Sequence, residues 1–204
     1  MNQELNQEMN QEMNQGTTRT LVFGGARSGK SAQAERLAAA AGKQVIYIAT
    51  AAVGDDEMAA RIALHRQQRS AQYAHWETVE EQLALGDAIA RASRPGNVVL
   101  VDCLTVWLSN LLFSEHREYP DIGRIDAPAR FAIERERFLQ VLSQAPGDVV
   151  LVSNEVGMGI VPQGAISRWF VDEAGRLNQT VAAICERVQF VAAGLPLTLK
   201  GRAC

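Results

Sequence analysis

A chain of 204 residues that is 47% hydrophobic and 21% charged can bury one substantial core, and a net charge of −3 gives no electrostatic reason to expect a nucleic-acid partner. No apolar run approaches the roughly 20 residues that cross a bilayer, and the N-terminus lacks the basic start and apolar centre of a secretory signal. Three widely spaced cysteines, Cys103, Cys185 and Cys204, suggest neither a disulfide framework nor a C-x-x-C metal site, which suits a reducing cytoplasm.

The first sixteen residues repeat a four-residue unit, from Met1-Asn2-Gln3-Glu4 to Met13-Asn14-Gln15-Gly16. Composition this polar cannot offset its own ordering entropy by burial, so residues 1–16 are expected to be a disordered tail or a frayed helix. On a helix the same period would line up one Met/Leu stripe, a weak self-association surface. Residues 17–204 are expected to form one domain.

Thr18–Phe23 reads as the first strand, and Ser31–Ala41 as a helix of good helix formers. Between them, Gly24-Gly25-Ala26-Arg27-Ser28-Gly29-Lys30-Ser31 satisfies G-x-x-x-x-G-K-[ST] in the strand–loop–helix setting that gives the pattern meaning. Glycines permit close backbone approach, and successive N–H groups at a helix N-terminus present positive dipole to a phosphate chain. Lys30 would reach the β- and γ-phosphates, and the Ser31 hydroxyl would hold Mg²⁺. These residues predict a nucleoside-triphosphate site.

Further strands are expected at Gln44–Ala49, Asn97–Val101, Asp148–Val152 and Arg187–Ala192. Helical periods run over Asp55–Gln72, Val79–Ala92, Leu104–Phe113, Ala127–Leu142 and Ala165–Ala183. Residues Gly194 to Lys200 can return as an antiparallel edge strand, where Pro196 is tolerated. The alternation predicts an α/β, three-layer P-loop NTPase (RecA-like) fold, its sheet mostly parallel with an antiparallel C-terminal edge strand. Gly24, Thr50, Asp102 and Asn154 would then meet at one sheet edge, where open α/β sheets bind ligands.

Asp102, closing the third of these strands, is the carboxylate expected to organise Mg²⁺; its alternative role is to cap the next helix. Glu155 could activate a hydroxyl, orient a metal or accept loop amides. In the helix opened by Asp55-Asp56-Glu57, Arg61, His65 and Arg69 follow at i, i+4 spacing and share a stripe. The flanking guanidiniums favour a neutral imidazole, suited to attack on phosphorus; the alternative is a solvated basic face. His75, beside Trp76, reads as a packing residue, and His116 lies in a charged loop. A regulatory GTP switch would want an N-K-x-D motif, which the chain lacks.

Taken with Tyr47-Ile48-Ala49-Thr50, Asp55-Asp56-Glu57-Met58, Val101-Asp102-Cys103-Leu104-Thr105, Ser153 to Pro162 and Ala174 to Gln179, the phosphate loop resembles that of a known family. The chain is similar to the bifunctional adenosylcobinamide kinase/adenosylcobinamide-phosphate guanylyltransferases of cobalamin biosynthesis, from about residue 18 to 200. The resemblance implies that His65 carries GMP as a covalent intermediate. It also implies nucleotide contacts at Gly24 to Ser31, at Ala49, Thr50 and Ala51, at Arg66, Gln67, Gln68 and Arg69, and at Glu80 and Asp102. The implied substrates are ATP, GTP and adenosylcobinamide, and the implied assembly is a homo-oligomer, a trimer. Two features depart from the family pattern: the N-terminal repeat, and a few extra residues around Ser70 to Tyr73. A simple P-loop kinase without the guanylyl step is the alternative.

Overall fold

Alternation along the strands decides which side chain meets which layer. The computed structural model describes residues 16–51, 72–115 and 117–202; residues 1–15 of the terminal repeat, residues 52–71 with Arg61, His65 and Arg66 to Arg69, His116 and residues 203–204 lie outside the described residues. In chain order the elements are β1 (Arg19–Gly24), α1 (Lys30–Ala40), β2 (Gln44–Ala49), β3 (Glu77–Glu80), α2 (Leu85–Ala92), β4 (Asn97–Asp102) and α3 (Leu104–Leu112). They continue with α4 (Ala129–Gln144), β5 (Asp148–Asn154), α5 (Ala165–Ile184), β6 (Arg187–Ala192) and β7 (Leu195–Lys200).

The seven strands form one sheet in the order β3-β2-β4-β5-β1-β6-β7. Every neighbouring pair is parallel except β6 and β7, which are antiparallel. This is the expected α/β class with its antiparallel C-terminal edge. Parallel strands need covered faces, and the strand sequences supply apolar residues to both. Leu21, Ile48, Val99, Val101, Val149 and Leu151 face a core shared with α2 to α5. Their neighbours Val22, Val45, Tyr47, Val98, Leu100, Val150 and Val152 face α1 through Ala34 and Ala38. Small alanines on α1 let that helix lie close to the sheet. On the other side Trp107 is fully buried, its Nε1–H donating to the Leu83 carbonyl at 2.8 Å and its ring centroid 5.0 Å from that of Phe138.

One segment departs from expectation. The helical period expected over Val79–Ala92 holds only from Leu85; residues Glu77–Glu80 are instead an edge strand paired with β2. Glu81 marks the boundary, its Oε1 accepting the N–H groups of Leu83 and Ala84 at 3.0 and 2.8 Å just ahead of α2. A side chain that takes up amides before a helix starts sets where that helix can begin.

Candidate active site

The phosphate loop leaves the carboxyl end of β1, which lies between β5 and β6 in the sheet. Arg27 (φ 56°) and Gly29 (φ 94°) are both left-handed, a backbone pattern that turns consecutive amides toward a common centre. Gly29 is the N-cap of α1, and no side chain caps that helix, so its first-turn amides face the loop without a protein acceptor of that kind. The Lys30 ammonium bonds the Gly25 carbonyl at 3.2 Å and so lies across the loop. Ser31 follows in the first turn, half-buried. Ser28 is buried, and its Oγ has no hydrogen-bond partner among the described residues, leaving a donor at the wall of the cradle.

The β6–β7 hairpin backs the loop. Ala193 (φ 51°) and Gly194 (φ 78°) make its two-residue turn, and the Gly194 N–H donates to the Ser28 carbonyl at 2.8 Å. A Cβ on Gly24 would stand 2.2 Å from the Val191 carbonyl oxygen, well inside contact distance. Gly24→Ala must therefore push the loop off β6. Overpacking of this kind costs about 1–3 kcal/mol. We expect a lower melting temperature and nucleotide affinity weakened about tenfold or more, read by titrating a fluorescent nucleotide.

Register brings other expected residues to the same edge. Glu80 pairs with Ala49, and Ala49 with Asp102, so the three stand in one row across β3, β2 and β4. Gly24 pairs with Asn154 across β1 and β5. Thr50 is fully buried, and its groups are engaged with protein: Oγ1 donates to the Cys103 carbonyl and accepts the Cys103 N–H, both at 2.8 Å, while its carbonyl accepts from Asn110. Thr50 thus ties the end of β2 to the end of β4. Ala51 follows half-buried at the limit of the described segment. His75 is exposed, edge-on to Trp76, which stacks on Tyr73 with centroids 4.0 Å apart. The structure thus groups Gly24 to Ser31, Ala49 to Ala51, Glu80 and Asp102 along one edge; His65 and Arg66 to Arg69 lie outside the described residues.

Cys103 reports the local field. Burial first, and then the Asp102 carboxylate, push its thiol from 9.0 up to about 12, while Lys30 pulls the other way, so the ammonium and the carboxylate both act at this one point. The sign gives a prediction. Between pH 9 and 12 the unfolded chain releases a proton that the folded chain keeps, so stability falls as pH rises, by about 1.4 kcal/mol per pH unit for this group. Cys103→Ala should flatten the decline by that amount, measured by urea unfolding at pH 9.5 and 10.5.

Two groups of polar residues were not anticipated as a network. Asn110 Nδ2 donates to the carbonyls of Thr50 and Gln82, at 2.8 and 3.1 Å, joining the ends of β2 and β3. Deeper, Ser153 Oγ donates to Asn178 Oδ1 at 2.6 Å and lies 3.3 Å from Thr105 Oγ1, which accepts the Asn154 N–H at 2.7 Å; Asn178 Nδ2 donates to the Asn154 carbonyl at 3.1 Å. Satisfied buried networks of this kind rigidify what they hold, here the end of β5. Thr105 on α3 and Asn178 on α5 are the buried polar residues of their helices, set among buried apolar neighbours. Glu155 follows, its N–H donating to the Gly24 carbonyl at 3.0 Å and its Oε1 accepting the Gly157 N–H at 2.6 Å. Of the roles weighed for it, accepting a loop amide is the one visible here.

With this geometry in view, comparison with known proteins bears on the chemistry. The model of the family described as cobinamide kinase / cobinamide phosphate guanyltransferase matches residues 20–199. The chain belongs to that family. Within the cobinamide kinase/guanyltransferase family, the chain is 52% identical over 183 residues to the bifunctional adenosylcobalamin biosynthesis protein CobP of Pseudomonas aeruginosa, covering 90% of this chain and 98% of that one. It is 44% identical over 182 residues to the bifunctional adenosylcobalamin biosynthesis protein CobU of Escherichia coli, covering 88% and 98%. Among solved structures, a subunit described as a unique ATP synthase subunit from Nanoarcheaum equitans superposes with a TM-score of 0.51 at 13% identity, over 87% of this chain and 46% of that one, a likeness of fold alone. No helix among the described residues of this family member is long and apolar enough to cross a membrane.

Proposed function

We propose that the chain phosphorylates adenosylcobinamide with ATP or GTP and then transfers GMP from GTP, through a guanylylated histidine, to give adenosylcobinamide-GDP. One observation carries this reading: the match to relatives named as bifunctional runs over 98% of their length and includes the whole phosphate loop. The family description contains a guanyltransferase as well as a kinase, which favours this reading over a kinase acting alone.

In the first step the acceptor hydroxyl oxygen bonds to the γ-phosphorus while the bond to the bridging oxygen breaks, the nucleoside diphosphate leaves and the hydroxyl proton passes to water. Lys30 and the amides from Gly25 to Ser31 offset charge spread over the transferred group. The Ser31 hydroxyl and the Asp102 carboxylate are hard oxygen donors at one sheet edge, a donor set that fits Mg²⁺ completed by phosphate oxygens and water. When bound there, Mg²⁺ would neutralise phosphate charge. In the second step an imidazole nitrogen of His65 bonds to the α-phosphorus of GTP and pyrophosphate leaves. A phosphate oxygen of the first product then bonds to that phosphorus and the N–P bond breaks, freeing His65. Splitting one displacement into two easier ones is the advantage of a covalent intermediate.

Ala49, Ala51, Glu80 and residues Arg66 to Arg69 complete the proposed nucleotide contacts, while Thr50, fully buried, serves the site by tying β2 to β4. The remaining elements of the proposal are one domain over 17–204, a cytoplasmic setting and a homotrimer. Incubating the protein with cobinamide, ATP and GTP and separating the products tests the reading. Cobinamide phosphate should appear with ATP alone and GDP-cobinamide only when GTP is present; a product that stops at the phosphate would leave a kinase only.

A further inference from the structure

The loop between β5 and α5 leaves the sheet beside the phosphate loop and carries large apolar side chains into solvent. Met158 is 77% exposed, Ile160 98% and Val161 72%. Contiguous exposed apolar residues of this size mark contact surfaces. The loop is tied at both ends. At its start Glu155 bonds Gly24 and Gly157, as described above; at its end the Arg168 guanidinium donates to the carbonyls of Pro162 and Gln163. The Ala165 N–H then donates to the Asp121 carbonyl at 3.0 Å, which brings alongside a second loop whose Ile122 is 85% exposed.

We propose that Met158, Ile160 and Val161, with Ile122, form the platform on which the corrin macrocycle of the acceptor lies while its hydroxyl arm reaches the phosphate loop. The inference rests on the proposed acceptor being a cobinamide. Phosphoryl transfer needs the attacking oxygen within about 3–3.5 Å of the γ-phosphorus, so the acceptor's body must rest on surface that adjoins the phosphate loop. A corrin is a broad ring whose rim carries methyl groups between its amide arms, and an apolar platform of three or four side chains beside the phosphate loop can support those methyls and the ring face. The other exposed apolar row, Leu195, Leu197 and Leu199 on β7, starts at the hairpin turn but runs away from the phosphate edge: Lys200, at its far end, pairs with Val188 near the start of β6.

The test replaces Met158, Ile160 and Val161 together by Ser and, separately, Ile160 by Ala, and measures phosphorylation of cobinamide. For the triple variant we expect KM for cobinamide to rise about tenfold to a hundredfold, while KM for ATP and labelling of the chain by GTP stay unchanged. Ile160→Ala alone should raise KM for cobinamide severalfold, and it decides the matter should the triple variant also lose ATP binding. An unchanged KM for cobinamide overturns the proposal. A changed sedimentation coefficient with unchanged KM overturns it too and assigns the surface to a second copy of the chain. A wild-type protein that neither binds nor phosphorylates cobinamide would overturn the functional reading itself, and the platform with it.

Discussion

Lys30→Ala is expected to slow phosphoryl transfer to cobinamide by about a thousandfold, with most of the loss in kcat. The ammonium lies across the phosphate loop, on the Gly25 carbonyl, and the loop around it is shaped by left-handed backbone at Arg27 and Gly29. Negative charge grows on the oxygens of the transferred group as the γ-phosphoryl leaves one oxygen for another, so a fixed positive charge counts most in the transition state. Lys30→Arg should restore little, because a planar guanidinium does not replace a compact ammonium in a cradle of backbone amides. The check is steady-state kinetics with ATP and cobinamide, alongside a thermal melt to show that the fold is kept. A variant turning over within tenfold of the wild type would remove the phosphate loop from the mechanism.

His65→Ala is expected to abolish formation of GDP-cobinamide, a loss of at least about a thousandfold, while leaving ATP-dependent phosphorylation near normal. The resemblance to the family is what assigns the covalent role to His65; on the helix expected over Asp55–Gln72, Arg61 and Arg69 would flank it at i, i+4 spacing. Arginines suit the phosphates of an arriving triphosphate, and a neutral ring supplies the lone pair that attacks. A plain kinase would form no GDP-cobinamide even before this substitution. Separate responses, read as the ratio of phosphate product to GDP product by chromatography, are the signature of two chemistries on one chain. Equal loss of both would point to a structural role for His65.

The parallel sheet was legible because Val and Leu fill Val98–Val101 and Val149–Val152 without a break, as strands buried on both faces do. The phosphate loop was legible because its residues are consecutive. What was not legible depends on pairs distant in sequence. Thr50 joins Cys103 and Asn110, and Ser153 joins Thr105 and Asn178; no window of sequence contains these partners together. The strand at Glu77–Glu80 was hidden for a different reason. Leu85 and Ile89 repeat at helical spacing, and nothing at Val79 to Leu83 interrupts that period, so the pattern ran past the point where Glu81 stops it. The backing of the phosphate loop by the β6–β7 hairpin was likewise invisible, since Ser28 and Gly194 lie at opposite ends of the chain.

On the proposed mechanism one chain holds a triphosphate at the head of α1 and brings an imidazole to its α-phosphorus. Peptide mapping of the protein after brief exposure to GTP labelled at either the α- or the γ-position tests this most directly. Label is expected from the α-position only, on the peptide carrying His65, labile to acid, stable to alkali, and matched mole for mole by released pyrophosphate. Label on any other residue, or label arriving from the γ-position, would contradict it.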